Sequence, residues 1–298
     1  MTEKKDLSNL KTKTSIQTSF FQEIEYEKIK KIVKKLGDAP ATKDSHGQDV
    51  GLSIYESSKQ SARDYTINAR ASSAIAIMDV ILAAHRDYNK QVLKHVKKMR
   101  DNHPNLTITE LEKLLQQYTT APSFKEIWGH NDKKKFETLR SLIQRILPML
   151  KGVDNNENDF AVLSAWASQA NLKDKKNDVI GSLPNIGIAT FQHMRMNFGA
   201  DTVKPDQRVK EIFEYEFSRK FNDRDSVLAA HEIAKICEYT PLFIDQIFVR
   251  YGSGYYRSKA NIRTSVMEII RQLKLLGVSE KIISKATGWS IDVIRNIE

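Results

Sequence analysis

Apolar residues recur along this chain three and four positions apart, and nowhere do they alternate with polar ones over the length of a strand. The spacing predicts a helix over 20–36, then a loop through 37–51 that carries Pro40, Gly47 and several Asp and Ser residues. Residues 61–98 read as helical, and the long apolar stretch 69–84 within them is the candidate for a central buried helix. Pro104 and Asn105 interrupt the pattern; helices follow over 109–117, 123–129 and 133–150, the last with Pro148 near its end. The Asn- and Asp-rich stretch 151–159 is a loop. Helices resume over 159–169 and 174–182 and, after a break at Gly199, over 207–217, 226–237 and 241–251. A Gly- and Tyr-rich joint at 252–256 precedes further helices over 258–276 and 279–287 and a short one from Ser290. No segment repeats at a solenoid period. The predicted fold class is all-α, preceded by a disordered basic arm at 1–18.

Composition narrows the partners. Lys and Arg number 47 against 37 Asp and Glu, a formal charge of +10, and such an excess favours a polyanion, with the DNA backbone the commonest. No apolar run is long enough for a membrane span, and residues 1–19 lack the apolar stretch of a secretory signal. The expected location is the cytoplasm. The single cysteine, Cys237, excludes an internal disulfide and a four-cysteine zinc or iron–sulfur site. No metal site is expected.

Two segments carry chemistry. Leu183-Pro184-Asn185-Ile186-Gly187-Ile188-Ala189-Thr190 lies between helical stretches. A tight turn here would leave the first amides of the second helix pointing outward, where they and the helix dipole can hold a phosphate. Such a turn needs a residue that tolerates positive φ at 185, where Asn is the best non-glycine choice, and a small residue at 187, where a DNA backbone approaches. An ordinary helix–loop–helix corner would look much the same. Downstream, Lys204-Pro205-Asp206-Gln207-Arg208-Val209 opens another helix, and Asp206 in that position is at the least a capping carboxylate. A carboxylate held ionised at a helix N-terminus is also what a developing oxocarbenium ion needs beside it.

The two segments together resemble the helix-hairpin-helix DNA glycosylase superfamily, whose hairpin reads roughly Leu-Pro-Gly-x-Gly and whose catalytic Asp follows about twenty residues later. Here Gly187 and Asp206 stand 19 residues apart. The Lys-Pro-Asp form is similar to a poorly characterised branch of that superfamily, and the resemblance spans about residues 75–251. It implies a two-lobed helical domain, taken as 19–255; the tail, 256–298, reads by itself as a helix-turn-helix-like extension, for which packing or a protein partner is at least as good a reading as base readout. The residues it implies at double-stranded DNA are Leu183, Asn185, Gly187, Ala189, Thr190 and Lys204. His85 and Arg86 join them, with His85 either filling the gap left by an extruded base or, equally well, capping a core helix with Tyr88 packed at its end. Tyr65, Tyr88 and Asp245 are candidates for the base pocket, although Asp245 reads better as the partner of a buried Lys or Arg. Asn185 departs from the usual glycine. Ala189 stands where other members carry a Schiff-base lysine, so the implied reaction is hydrolysis by an activated water. Lys204 could supply an amine instead but reads better as a phosphate contact or a solvated residue. No cofactor is implied beyond a monovalent cation that some relatives hold on hairpin carbonyls. The resulting expectation is a monomeric, monofunctional DNA glycosylase with Asp206 as its catalytic carboxylate, acting in base-excision repair or against phage DNA with modified bases. A non-catalytic helix-hairpin-helix DNA-binding protein is the alternative.

Overall fold

The computed structural model describes residues 19–41, 51–86, 88–256, 269–271, 273–287, 290–295 and 297. The predicted basic arm and most of the predicted helix at 258–276 lie outside these residues. The fold is all-α: among the described residues the only β-type pairing is an isolated bridge between Pro40 and Ser53.

Among the described residues thirteen α-helices run to residue 255: α1 (Tyr26–Asp38), α2 (Ile54–Asp64), α3 (Ile67–Ala71), α4 (Ser73–Ala83), α5 (Leu93–Asn102), α6 (Ile108–Gln117), α7 (Ala121–Trp128), α8 (Lys133–Ile146), α9 (Asn156–Gln169), α10 (Ile188–Asn197), α11 (Gln207–Tyr215), α12 (Asp223–Cys237) and α13 (Pro241–Tyr255). Three sequence expectations are corrected. The helix expected over 61–98 is broken into several. It starts early, at Ile54, because Ser53 and Glu56 form a capping box in which each side chain takes the other's backbone N–H. It breaks at Ser72, whose extended backbone and hydroxyl cap α4, and again at His85, whose φ of 59° lies in the left-handed region. The helix expected over 174–182 is a series of turns, because the Asp178 carboxylate accepts the amides of Ile180 and Gly181 at 2.8 and 2.7 Å. The joint at 252–256 is mostly helical: α13 runs through it to Tyr255. Gly252 is small there because a Cβ would lie 3.0 Å from that of Arg208.

Two apolar cores result. The first is built from α3 to α10, around α4, which is buried from Ser73 to Leu82. The C-terminal carbonyls of α4 are gathered by one ammonium: Lys135 donates to Ile81, Leu82 and Ala84 oxygens at 2.6, 3.2 and 2.7 Å. The second core joins Phe21, Ile29, Val33, Leu36 and Ile54 from the first part of the chain to apolar residues of α11, α12 and α13. Further on, α14 (Glu280–Thr287) and α15 (Ile291–Arg295) share a small separate core of Ile270, Ile283, Ile294 and Ile297.

Among the described residues no single helix is long and apolar enough to cross a membrane. Ile54–Ala71 and Ser73–Ala83 pass by length and composition together, but are bent by 115°, and α4 lies inside the first core.

Candidate active site

The helix starts are of two kinds, and α1, α3, α5 and α10 lack a side-chain cap. α2, α4, α6, α7, α8, α9, α11, α12 and α13 each begin at a Ser, Thr, Asp or Asn whose side chain accepts an amide of the first turn. α10 begins at Gly187, which has no side chain to do so. The amides of Ile188, Ala189 and Thr190 have no acceptor within the helix. The turn before it has the expected shape. Asn185 sits at φ 67°, its amide nitrogen donating to Thr138 Oγ1 at 3.1 Å. Nothing inside the fold requires a glycine at 187: its φ is −72°, it is exposed, and a Cβ there would meet no atom within 4 Å. Gly181, by contrast, is needed internally, since a Cβ would come within 2.7 Å of the Lys175 carbonyl and 2.9 Å of the Phe191 ring. The Leu183 side chain is buried in the first core, and its carbonyl closes the turn by accepting the Ile186 amide at 3.2 Å.

The hairpin carbonyls bear on the cation expected from the resemblance. Gly181 oxygen accepts Lys175 Nζ at 2.6 Å, Leu183 oxygen accepts the Ile186 amide, and Gly187 oxygen accepts the Phe191 amide. An ammonium of the chain itself stands on this turn, also 5.9 Å from the centre of the Phe191 ring. The Gly181 carbonyl thus already carries a charged donor of the chain itself.

Asp206 caps α11. Its Oδ1 accepts the amides of Arg208 and Val209 at 2.9 and 3.1 Å, which leaves Oδ2 free of the helix. That second oxygen lies 3.3 Å from Lys204 Nζ. Both side chains are about one-quarter exposed, 27% for Asp206 and 24% for Lys204, so solvent still reaches the carboxylate. Lys204, expected as a phosphate contact or a solvated residue, is partly exposed with its amine against Asp206.

The segment before Asp206 is tied to both cores. Thr202 accepts Gln192 Nε2 of α10 at 2.7 Å. The Lys204 amide donates to Asp245 Oδ1 at 2.8 Å. Asp245 is 1% exposed in α13, and its other oxygen accepts Gln246 Nε2 at 3.0 Å. Gln246 in turn accepts the Ser61 hydroxyl of α2 at 2.9 Å. The expected side-chain partner of Asp245 is thus a backbone amide and a glutamine, with Lys204 contributing charge from nearby.

Titratable groups from both cores meet along this seam. Burial would lower the Lys204 ammonium, but Asp206, Asp245 and Asp79 outweigh it and hold the group above the ordinary lysine range. Burial first, and the Asp206 charge second, push the Asp245 carboxyl up to about 7. Burial holds the His193 imidazole well below its usual range, and the Lys204 charge adds to this. The Tyr65 hydroxyl, at the end of α2, is raised by burial and then by Asp245, Asp79, Tyr88 and Asp206. Tyr88 donates its hydroxyl to Asp79 Oδ2 at 2.9 Å. Of the sequence candidates, the seam brings together Tyr65, Tyr88, Lys204, Asp206 and Asp245. His85 is exposed in the turn after α4, and Arg86 lies 3.9 Å from Asp132.

Asp79, Gln246 and Ser61 are not among the residues the sequence singles out. Asp79 carried a signal: it is the one charged residue in α4. Gln246 and Ser61 carried none. Among the described residues no cluster of His, Cys, Asp and Glu could hold a metal ion. Compared with protein-family models, curated proteins and solved structures, the chain matches none.

Proposed function

We propose that this chain is a monofunctional DNA N-glycosylase. The observation that carries the reading is a pairing. An exposed, uncapped helix start at Gly187 and a carboxylate with one oxygen free of its helix are joined through the Gln192–Thr202 hydrogen bond. Amides at the first position suit a phosphodiester. A carboxylate at the second suits the cationic sugar that forms when a glycosidic bond breaks.

In this reading the amides of α10 grip the backbone beside the target, and the nucleotide turns out of the stack. Asp206 Oδ2 stabilises the sugar cation and orients the attacking water, while Oδ1 stays on the α11 amides and holds the group in place. Ala189 offers no amine, and the Lys204 amine is protonated through its carboxylate neighbours, so water is the nucleophile and the product is an abasic site.

The test is Asp206→Asn. Asparagine caps a helix about as well as aspartate, so folding and DNA affinity stay near native, while base release falls by at least about a hundredfold, the scale of losing one electrostatic stabiliser. The panel is duplex DNA carrying uracil, hypoxanthine, 8-oxoguanine, 7-methylguanine or 5-hydroxymethylcytosine with and without glucose. DNA binding without release from any of them would make the chain a non-catalytic hairpin protein.

A further inference from the structure

Asp79 has a feature that the role of Asp206 leaves unexplained. It lies in the middle of α4, the most apolar helix of the first core, and is only 9% exposed. One oxygen accepts the Tyr88 hydroxyl at 2.9 Å. The other, Oδ1, is sealed from solvent and has no hydrogen-bond partner. A buried carboxyl oxygen without a partner is costly, and folds retain such groups where function uses them. Its surroundings point to the seam: the Lys204 ammonium bears on Asp79, and Asp79 with Asp206 and Asp245 bears on the Tyr65 hydroxyl. Asp79 thus lies within electrostatic reach of Lys204, whose amine contacts Asp206.

Resting on the glycosylase reading, we propose that Asp79 is the general acid for the departing base, and that the substrate is accordingly an uncharged nucleobase. A base already made cationic by N-alkylation leaves without a proton. An uncharged base departs as an anion unless it receives one.

The arrangement suits this division of labour. Tyr88 occupies Oδ2, so the proton of the neutral acid sits on Oδ1, the oxygen with no partner. Asp206 is held on two amides at a helix N-terminus, and about a quarter of its side chain is exposed. Burial, by contrast, pushes the Asp79 carboxyl up to about 6, against the Tyr88 hydrogen bond and the charges of Arg100 and Lys204. Two carboxyls in contrasting environments are the usual basis for separate acid and base roles. A base entering where the cores meet would replace the atoms that now cover Oδ1. The C1′–N bond then breaks with its electron pair passing to the base. The Asp79 proton moves from Oδ1 to a ring nitrogen or carbonyl oxygen of that base. Water adds to C1′ and gives its proton to Asp206, and exchange with solvent resets both carboxyls.

The experiment measures single-turnover base release by the full chain and by Asp79→Asn and Asp79→Glu, using the same DNA panel from pH 5 to 8. The uncharged bases are compared with cationic 7-methylguanine. The native chain is expected to release at least one uncharged base at a rate that falls as pH rises above about 6. Groups facing Asp79 (Tyr88, Arg100, Lys204 and Tyr65) remain in place throughout. Asp79→Asn should lose about 10²–10⁴-fold on that base and within a few-fold on any 7-methylguanine release, with partial recovery in Asp79→Glu. The native pH profile stands even if a variant folds poorly. Equal losses on both classes, no loss on either, a flat profile, or native release of 7-methylguanine alone overturns the role of Asp79 while leaving Asp206-dependent release intact. No release of any base by the native chain overturns the glycosylase reading and this inference with it.

Discussion

The backbone amide of Lys204 donates to the buried carboxyl of Asp245 at 2.8 Å, which fixes the chain two residues before Asp206. Asp245→Ala is therefore expected to strand that amide and the Gln246 side chain together. The cost is about 1–3 kcal/mol for a buried polar group left unpaired, read as a lower midpoint in urea unfolding. If the glycosylase reading holds, base release falls as well, because the carboxylate two residues on loses its anchor.

The same residue makes a signed prediction about pH. Burial and the Asp206 charge raise the folded-state carboxyl to about 7, above its unfolded value of 3.8. The folded chain therefore keeps this proton over a range where the unfolded chain has lost it. Its contribution to stability is fully present below pH 3.8 and is lost as pH rises toward and through 7. The buried imidazoles His193 and His231 are lowered by burial and act in the opposite direction. The quantity to measure is thus the difference between native and Asp245→Asn unfolding free energies. That difference shifts in favour of the native chain as pH falls from 7 toward 4, and a constant difference would contradict the assignment.

Two glycines of the hairpin separate folding from binding. Gly181→Val drives side-chain atoms into the Lys175 carbonyl and the Phe191 ring and should destabilise the fold by about 1–3 kcal/mol. A Cβ at 187 would meet no atom within 4 Å, and Gly187→Val should cost about 1 kcal/mol or less, the scale of a helix-cap change. On the DNA-binding reading it is the second variant that weakens affinity, by tenfold or more, with a shallower dependence on salt. Thermal unfolding and a salt titration of binding measure both.

The ammonium on the hairpin yields a third test. Lys175 donates to the Gly181 carbonyl at 2.6 Å, so on the DNA-binding reading affinity at constant ionic strength should be the same in sodium, potassium and lithium salts. Lys175→Met should weaken DNA binding by several-fold, and preference for one of these cations is expected only in that variant.

On the glycosylase reading, Lys204 decides between hydrolysis and lyase chemistry. Its neighbours keep the amine protonated, and a protonated amine forms no Schiff base. Borohydride added to the native chain with abasic-site DNA is expected to trap no covalent adduct. An adduct that disappears in Lys204→Ala would make Lys204 a nucleophile and the enzyme bifunctional.

The parts of this structure that announce themselves locally were legible in the sequence. Helical periodicity gave the all-α class. Asn185 took the left-handed conformation that its place after Pro184 required, and Asp206 became a helix cap because Pro-Asp before an apolar run is a local signal. What the sequence withheld depends on contacts across the fold. Asp178 takes two amides of its own loop and so prevents a helix over 174–182. Asp79 and Tyr88 become partners only when the chain reverses after α4. Gln246 and Ser61, 185 residues apart, share no pattern that spacing could reveal.

The second core is closed by residues from both ends of the 21–251 stretch, while the first forms from the continuous run between them. Contacts within the first span short loops, and those that complete the second must close a loop of about 150 residues, which is the slower event in a folding chain. During synthesis the first core can form while α11 to α13 are still unmade. The Asp206 segment, tied to α10 at Thr202 and to α13 through Lys204, takes its final geometry only once both bodies are present. On the glycosylase reading, a nascent or partly unfolded chain would then display the hairpin before its carboxylate is in place, holding DNA without yet being able to cut a base from it.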